Sequence, residues 1–406
     1  MIRKGKSCIG SFLELMVLIN KILVIIKIFF SIKKFTLPKK SNVLLVDEVT
    51  GKKISEYLGK NFSILHTRSE NYNLSVLLFT FKNFLINKTS LNFTQLYFFN
   101  FIKFVNPKII ITCNDFDRNV WNIKKFFPDK KVVMIQNNVR NGWELGSQHI
   151  TQIKKSKIDY CLTYGEIYKK YYQKFLKANF INIGSVLNNQ VKKKVISNNK
   201  GLVFISQFKN WDKNSKTKSD TNNKINLYQS YLDCDRLLLK HCINFCNNKN
   251  IKIYILFRSN DPKRIKLEKK YYKKMFPKEK IIFLIQNNKK HTYQIIERFN
   301  YFVSIDSSLA YECLIKDKRV GYINFRYALY KFKGGKNHRY GWPGKFKKKG
   351  YFWTDSSSEK EINRVLKNLY LNNNSKWLSL KKKCIKPVIE YDYNNKKLKE
   401  ILLKLT

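Results

Sequence analysis

The stretch Tyr301–Asn324 reads YFVSIDSSLAYECLIKDKRVGYIN. An apolar run ends at Asp306, a helical segment follows, and a second apolar run begins at Arg319. A strand that leads through a helix into another strand is the repeating unit of a parallel sheet. The stretch therefore predicts a strand, a helix that starts at the strand's carboxyl end, and a second strand.

The start of that helix is a candidate anion site. Ser307 or Ser308 can cap the helix, and the hydroxyls together with the first free N–H groups suit an anion. Glu312 lies one turn further along and is placed to accept hydrogen bonds from sugar hydroxyls. The alternative is a capped helix with a solvated glutamate, which requires no ligand.

The same alternation of short β-branched runs and helical stretches continues through the chain after Pro38. It predicts βα units around parallel sheets. The expected fold is α/β, with two Rossmann-like, doubly wound domains that face a cleft and an N-terminal amphipathic helix. The predicted strands are Asn42–Asp47, Ser63–His66, Lys108–Thr112, Lys131–Gln136, Tyr160–Thr163, Asn179–Ile183, Gly201–Ser206, Ile251–Phe257, Ile281–Leu284, Tyr301–Ile305 and Arg319–Ile323.

Composition shifts suggest where the domains begin and end. The polar stretch Asn188–Lys200 is the predicted linker, and the run Asp212–Lys224, which contains no apolar residue, is the predicted mobile loop. Two doubly wound halves joined at the linker would hold a ligand at the carboxyl ends of their strands. The predicted segments are 1–40 at the interface with a membrane, 41–190 and 200–375 as the two domains, and 376–406 as a helical tail.

In the second half, polar residues follow two further strands. Arg258 follows Ile251–Phe257, and its guanidinium fork suits phosphate or carboxylate. Ser206 and Gln207 end another strand and are expected nearby. The alternative for Arg258 is a surface or interdomain salt bridge.

In the first half, Asn114, Asp115 and Asp117 follow one strand, and Asn137 and Arg140 follow the next. Acids, amides and an arginine at adjacent strand ends predict a polar pocket. A carboxylate there can act as a general base toward a hydroxyl. The alternative is that Asp115 or Asp117 only caps a helix.

A long Gly- and aromatic-rich segment, residues 333–354, contains Arg339 and Trp342. Such a segment is more typical of a binding loop or lid than of a plain connection. The sequence has no Walker A motif, GxGxxG, HExxH or GxSxG. Their absence argues against a P-loop NTPase, an ordinary dehydrogenase or a serine hydrolase.

The chain has 406 residues, with 80 Lys plus Arg against 28 Asp plus Glu and a formal charge of +52. Cations occur in every segment, so most of this charge is interpreted as lysine enrichment of a solvated surface. Only 12 of the cations are Arg, the residue that most often reads bases. The charge therefore favours phosphate or anionic lipid as a partner, and nucleic acid is not expected.

Residues 11–32, SFLELMVLINKILVIIKIFFSI, combine an apolar face with a polar arc that includes Glu14, Lys21 and Lys27. Such a helix can lie in a membrane interface, helped by the lysines that follow it. Docking on the protein's own core and a strained membrane span are the alternatives. We expect a cytoplasmic protein at the inner face of the membrane.

The eight cysteines are scattered among apolar neighbours, which indicates a reducing compartment and no disulfide framework. Cys234, Cys242 and Cys246 share one face of a predicted helix, Leu227–Asn247. No second ligand pair lies at zinc spacing. They are interpreted as core thiols, and no metal site is predicted.

Several segments taken in order resemble a bacterial surface-carbohydrate (O-antigen, lipopolysaccharide) biosynthesis family with the GT-B glycosyltransferase architecture. The resemblance covers most of residues 42–400. SIDSSLAYE is also similar to the phosphate-binding serine turn of the CDP-glycerol transferases. The segments are ITCNDFDR, IQNNVRNGW, INIGSVLNN, FISQF, ILFRS, SIDSSLAYECLIKDKRV, RYGWPGKFKKKGYFW and YDYNN.

The resemblance implies transfer of a sugar from a nucleotide-activated donor to a glycan or lipid-linked acceptor. It implies that Ser307 and Ser308 bind donor phosphate, that Glu312 binds the ribose, and that Arg258 neutralises the leaving phosphate. Most such enzymes need no metal, and no cofactor is expected beyond the nucleotide sugar as co-substrate.

The resemblance leaves other points open. Asp115 or Asp117 is the candidate base, but the family does not decide between them. A polyol-phosphate transferase and a sugar-nucleotide epimerase on the same fold are the enzymatic alternatives. A non-enzymatic basic protein that binds membrane or nucleic acid is the third.

Overall fold

The computed structural model describes residues 30–67, 71–86, 91–115, 117–139, 156–194, 199–209, 216–218, 224–331, 349–371 and 373–405. Within these ranges the strands form two six-stranded sheets and two two-stranded pairs. The strands are β1 (Ile32–Lys34), β2 (Val43–Val46), β3 (Phe62–Leu65), β4 (Tyr72–Asn73), β5 (Ile109–Thr112), β6 (Lys131–Ile135), β7 (Ser156–Thr163), β8 (Leu176–Asn182), β9 (Leu202–Ile205), β10 (Lys216–Lys218), β11 (Lys224–Asn226), β12 (Ile253–Leu256), β13 (Ile281–Leu284), β14 (Tyr301–Ser304), β15 (Arg319–Ile323) and β16 (Trp353–Thr354).

The second of the large sheets has the order β13-β12-β9-β14-β15-β16, and its neighbouring strands pair in parallel. Counted from β9, this is the 3-2-1-4-5-6 order of a Rossmann sheet. The whole of β9, LVFI, is buried. Apolar β-branched and aromatic side chains on both faces are what a parallel sheet covered by helices requires.

The first large sheet has the order β3-β2-β5-β6-β7-β8. Counted from β2, it begins with the 2-1-3-4-5 order of the other common doubly wound sheet. The chain reverses its winding direction between β2 and β5. The predicted α/β class with two Rossmann-like sheets is therefore confirmed.

Every predicted strand is present, with small differences at the ends. The prediction missed β16 and the four strands of the two-stranded pairs, β1, β4, β10 and β11, because segments of two or three residues are too short to show a strand period. The helices are Glu48–Gly51, Leu74–Ile86, Phe93–Val105, Arg118–Trp121, Ile123–Phe126, Glu166–Tyr172, Val186–Asn189, Leu227–Asn248, Pro262–Met275, Lys289–Ile296, Ser308–Ile315, Arg326–Tyr330, Glu359–Tyr370, Asn374–Leu380 and Lys396–Leu405.

The chain divides into two compact units, residues 1–135 with 157–159 and 402–406, and residues 136–156 with 160–401. Cys234, Cys242 and Cys246 are fully buried in the core of the second unit. Burial raises the pKa of the Cys234 and Cys246 thiols to about 12. The interpretation as core thiols is confirmed, whereas the predicted domain boundaries stay a prediction.

Two predictions about polar stretches need correction. Asn188 and Asn189, at the start of the predicted linker, are buried and belong to the helix Val186–Asn189. The predicted mobile loop contains β10, which pairs antiparallel with β11. Composition misled in both cases, because buried amides can be satisfied by hydrogen bonds and a short hairpin can form from a mostly polar segment.

Residues 1–29, most of the predicted amphipathic helix, lie outside the described residues. Its predicted last residue, Ile32, begins β1, which pairs in parallel with β4. The Asn73 side chain also donates a hydrogen bond to the Thr36 carbonyl at 2.7 Å. Across the described ranges, no helix is both long and apolar enough to cross a membrane.

The segment before the last helix packs on residues 164–189 of the same unit. The Glu390 N–H donates to the Tyr164 carbonyl at 2.8 Å, and the Asn395 side chain donates to the Val186 carbonyl at 2.9 Å. Gly184 has a φ of +70°, and a Cβ there would collide with the Glu390 carbonyl. This close approach of two backbones explains why a glycine is required.

Gly184→Ala is expected to lower the free energy of unfolding by about 2–4 kcal/mol, because backbone strain and a clash with backbone atoms add together. Chemical denaturation of both proteins measures the difference. Gly59→Ala is the matched control, since Gly59 has the same φ of +70° with nothing within 4 Å of the added Cβ. Equal losses for the two variants would contradict the close-approach explanation.

Candidate functional site

The candidate site lies at the carboxyl edge of the second sheet, where β9 and β14 are neighbours. The chain winds in opposite directions from these two strands, and this arrangement opens the crevice in which doubly wound sheets bind ligands. Ser206 and Gln207 follow β9, and Asp306 and Ser307 follow β14. The sheet order thus brings together two turns that lie far apart in sequence.

Gln207 links the two turns. Its amide is satisfied when the nitrogen faces Asp306 Oδ1 and the oxygen faces the Ser307 N–H, both at 3.2 Å. Its backbone carbonyl accepts a hydrogen bond from Arg258 Nη1 at 3.2 Å. Three of the predicted phosphate-binding residues, Gln207, Arg258 and Ser307, therefore meet at one edge.

The helix Ser308–Ile315 begins at this edge. Ser307 occupies the N-cap position, as predicted for one of the two serines, but its side chain makes no capping hydrogen bond. An uncapped first turn retains N–H groups without intrahelical partners, and the helix dipole adds positive potential there. Both serines are only half-buried. Their hydroxyls and the helix start can face an anion.

Arg326 supplies a cation that sequence reasoning missed. Its Nη1 lies 2.5 Å from Asp306 Oδ2, and its guanidinium lies 3.9 Å from the centre of the Tyr231 ring. The side chain is 6% exposed, and Nε and Nη2 have no hydrogen-bond partner among the described residues. A buried guanidinium with two unused nitrogens is costly unless a ligand or water completes it.

Lys209 is a second missed cation. Burial, together with the charges of Arg258 and Arg326, lowers the pKa of Lys209 to about 8. It lines a cavity of about 430 Å³ whose other walls include Arg258, Arg264 and Glu268. Three cations around one cavity form an electropositive pocket, and Arg258 connects it to Gln207.

A buried network lies beneath this pocket. Ser206 Oγ lies 2.8 Å from Tyr272 Oη, which donates to Asp235 Oδ2 at 3.0 Å. Burial raises the pKa of Asp235 to about 6 and that of Glu268 to about 8. Ser206 is 2% exposed, so its hydroxyl supports the turn from below and lies outside the cavity wall.

Glu312 is not the solvated glutamate of the alternative interpretation. It is 5% exposed, and its Oε2 accepts a hydrogen bond from Tyr293 Oη at 2.9 Å. Burial and the Glu312 charge raise the pKa of Tyr293 well above its ordinary value. The Glu312 backbone carbonyl faces Asn188 Nδ2 at 3.4 Å. The carboxylate is thus held in a fixed orientation.

In the first unit, polar residues gather at the carboxyl edge where β2 and β5 are neighbours. Asp115 is fully buried. Asp117 caps the helix Arg118–Trp121 by accepting a hydrogen bond from the Asn119 N–H at 2.9 Å, and burial raises the pKa of Asp117. Asn114, whose N–H donates to Thr112 Oγ1, lies on the same turn.

An aspartate and a histidine at the carboxyl edge of the first large sheet were not predicted as site residues. Asp47 follows β2, is fully buried and accepts a hydrogen bond from Thr50 Oγ1 at 2.8 Å. His66 follows β3, and its Nδ1 lies 3.3 Å from Glu48 Oε2. A signal was present in the sequence, since both residues end predicted strands.

The other residues that were predicted to line a pocket are Asn137, Arg140, Arg339 and Trp342. Asn137 follows β6, and its carbonyl accepts a hydrogen bond from Tyr164 Oη at 2.9 Å. Arg140, Arg339 and Trp342 lie outside the described residues. In the part of the chain that the structure describes, no group of three or more His, Cys, Asp or Glu side chains is arranged to hold a metal ion.

The missed cations also had a signal. Lys209 comes two residues after Gln207, and Arg326 is one of the scarce arginines, three residues after the end of β15. The rule that selected Arg258, a rare arginine at a strand end, selects Arg326 as well. What the sequence did not reveal is that β15 lies next to β14, which places Arg326 against Asp306.

The fold and site define an α/β protein with an electropositive pocket at the carboxyl edge of a Rossmann-like sheet. Residues 133–406 match the model of a family described as "putative O-antigen biosynthesis protein". The match spans more than half of the chain, and the protein therefore belongs to this O-antigen biosynthesis family. No curated protein matches the chain.

Several solved structures are similar to the chain. UDP-GlcNAc 2-epimerase from Methanocaldococcus jannaschii is 10% identical over 89% of this chain and 99% of its own, with a TM-score of 0.47. The Neisseria meningitidis UDP-GlcNAc 2-epimerase is 11% identical over 89% and 99%, with a TM-score of 0.48. The wall teichoic acid polymerase TagF is 7% identical over 98% of both chains, with a TM-score of 0.48.

Proposed function

We propose that the protein is a glycosyltransferase of O-antigen or related surface-polysaccharide biosynthesis. It would transfer a sugar from a nucleotide-activated donor to a glycan or lipid-linked acceptor. The observation that carries this proposal is that Gln207 links Arg258, which lines one cavity together with Lys209, to the uncapped helix start at Ser307. Membership of the O-antigen biosynthesis family supports a role in surface-polysaccharide biosynthesis.

The phosphates of the donor would occupy this pocket. Each charge-assisted hydrogen bond to a phosphate oxygen contributes about 1.5–3 kcal/mol. Arg258 offers the nitrogens that its bond to the Gln207 carbonyl leaves unused, and the hydroxyls of Ser307 and Ser308 add neutral donors. Arg326 would act mainly by holding Asp306, and through it Gln207, in place.

Glu312 would bind the ribose. Its carboxylate is fixed by Tyr293 and lies one turn along the helix from the proposed phosphate site. A carboxylate can accept hydrogen bonds from two adjacent hydroxyls, as a ribose presents them.

In the transfer step, an acceptor hydroxyl oxygen would attack the anomeric carbon while the bond from that carbon to the donor phosphate oxygen breaks. The proton would pass to the base, Asp115 or Asp117, and the nucleotide would leave with the bonding electrons. Cations and helix N–H groups placed around the departing phosphate stabilise its developing charge. We therefore propose a metal-independent reaction.

A donor panel tests the proposal. Isothermal titration of the purified protein with UDP-, CDP-, CMP- and GDP-linked donors is expected to give binding by at least one of them. Hydrolysis of that donor should follow slowly without an acceptor. Absence of binding across the panel would overturn the proposed function. Conversion of a UDP-sugar into its epimer would favour the epimerase alternative.

Donor affinity is expected to fall as the pH rises from 7 to 9. Lys209 is a cation below its pKa of about 8 and loses its charge above it. Glu268, with a pKa of about 8, gains negative charge in the same window and would act in the same direction. Titration across this range measures the effect. Lys209→Met and Glu268→Gln should each reduce the dependence of donor affinity on pH. If neither variant changes this dependence, Lys209 and Glu268 are not the groups that cause it.

We also propose that the first unit contacts the inner membrane surface. The helix Leu74–Ile86 exposes an apolar stripe at positions three and four residues apart, where Leu78 is 60%, Phe81 52% and Leu85 68% exposed. Phe35 and Leu37, close to the predicted amphipathic segment, are exposed as well. Apolar side chains on one face of a helix, with lysines nearby, favour insertion into a membrane interface.

Removing residues 1–29 is expected to reduce sedimentation with vesicles that contain phosphatidylglycerol. A cut after residue 29 keeps β1, which pairs with β4. Phe81→Asp with Leu85→Asp should reduce binding further, and Lys103→Asp serves as a charge-matched control. Full binding by the truncated double variant would contradict the membrane proposal.

A further inference from the structure

A second cavity, of about 470 Å³, lies in the second unit at the opposite edge of its sheet. Asn300, Tyr301 and Arg319 line it, and these residues precede or begin β14 and β15. The candidate donor site lies at the carboxyl ends of the same strands. Strands of four residues rise about 13 Å, so the two sites are separate.

One wall contains more buried positive than negative charge. Lys316 Nζ lies 3.1 Å from Glu297 Oε1, and Lys318 Nζ lies 3.5 Å from Glu297 Oε2. The side chains of the two lysines are 0% and 3% exposed, and that of the glutamate is 1% exposed. Two buried ammonium groups thus share one carboxylate. An uncompensated buried charge is strongly unfavourable, so a further anion would stabilise this wall.

The outer wall of this cavity also contains more positive than negative charge. Lys193 and Lys381 both pair with Asp317. Burial lowers the pKa of both lysines, and the pKa of Lys193 is lowered further by the neighbouring charges of Lys381 and Lys318. Lys194 is exposed beside them and also lines the cavity.

Arg319 completes the positive lining. Its Nη1 donates to the Leu371 carbonyl at 2.8 Å, and its Nη2 donates to Asn374 Oδ1 at 2.8 Å. The guanidinium lies 5.9 Å from the ring centres of Tyr301 and Trp377. These neutral partners hold the arginine in place without cancelling its charge.

We propose that this cavity binds a phosphate-bearing ligand with at least two negative charges. Six cations line it, namely Lys193, Lys194, Lys316, Lys318, Arg319 and Lys381, and Asp317 is the carboxylate among the lining residues. Phosphate groups are recognised by clustered lysine and arginine donors of this kind. Trp377 and Leu378 form an apolar rim against which the uncharged part of the ligand would pack.

Inorganic pyrophosphate is the first probe, in calorimetric titrations of the full chain carrying Arg258→Met to weaken the donor site. The test variant adds Lys193→Gln and Lys381→Gln, whose side chains are partly exposed and therefore tolerant of change. The matched control adds Lys360→Gln and Lys367→Gln, from the exposed face of the helix Glu359–Tyr370. We expect at least tenfold weaker pyrophosphate binding in the test variant and less than a twofold change in the control.

A second arm distinguishes a soluble ligand from a lipid headgroup. The same proteins, each also carrying Phe81→Asp and Leu85→Asp to weaken the proposed membrane contact of the first unit, are sedimented with phosphatidylcholine vesicles that contain or lack cardiolipin, whose headgroup carries two phosphates. Loss of pyrophosphate binding alone in the test variant supports a soluble ligand, and loss of vesicle binding alone supports a headgroup. Equal behaviour of test and control variants in both arms overturns the proposal. Lys318→Met tests the buried wall independently. This variant should also bind pyrophosphate more weakly, and circular dichroism verifies that it folds.

Discussion

Arg258→Met is expected to weaken donor binding by about 10- to 100-fold, because the loss of one charge-assisted hydrogen bond to phosphate costs about 1.5–3 kcal/mol. The side chain projects from the end of β12 into the cavity that Lys209 also lines. Its removal leaves the buried network of Ser206 and Tyr272 intact. Calorimetric titration with the donor identified in the panel measures the change.

Arg236→Met is the control for this experiment. Arg236 lies on the surface of the helix Leu227–Asn248 and forms a long ion pair with Asp233 at 3.7 Å. Surface ion pairs contribute little, and a change of less than threefold is expected. Equal donor affinity of the Arg258 and Arg236 variants would exclude Arg258 from the phosphate site.

Asp117→Asn is expected to lower kcat by about 10²- to 10⁴-fold with little change in donor affinity, the range typical for loss of a general base. Burial raises the pKa of Asp117 toward the range in which a carboxylate accepts a proton effectively. Asn caps helices as well as Asp does, so the helix Arg118–Trp121 should survive the substitution. Steady-state kinetics with the identified donor and acceptor give kcat.

Asp115→Asn is the companion variant, because the choice between the two carboxylates is open. Asp115 is fully buried, whereas Asp117 is half-buried and can be reached by a substrate more directly. A large fall in kcat for Asp115→Asn alone would transfer the proposed role to Asp115. If kcat falls by less than tenfold in both variants, the base lies elsewhere, and His66 beside Glu48 is the next residue to test.

The fold was largely predictable because its signals are local. Most strands of the two large sheets are apolar runs bounded by polar turns, and β7, β8 and β16 are the exceptions. The helix that was predicted to start at the strand end, with Ser307 or Ser308 as its cap, is present as Ser308–Ile315 with Ser307 at the N-cap position. The prediction failed where a polar stretch can be either an exposed linker or a buried, hydrogen-bonded segment, as for Asn188 and Asn189.

The candidate site was predictable only in part. Gln207, Arg258 and Ser307 meet as expected, since they follow strands of one parallel sheet and the carboxyl ends of such strands share an edge. Ser206 follows the same strand as Gln207 but turns inward toward Tyr272. Which way a side chain points at a strand end depends on the neighbouring helix, and no pattern in the strand itself reports it.

The amino-acid sequence alone determined the α/β class, the positions of the strands and the helix start at Ser307, because periodicity and turn chemistry act over a few residues. The excess of lysine pointed to an anionic partner without saying where it binds. Tertiary structure decided that β9 lies between β12 and β14, and thereby assembled Lys209, Arg258 and Arg326 around Asp306. It also concentrated lysines at the opposite edge around Glu297 and Asp317. Charges interact through space, and only the fold sets those distances.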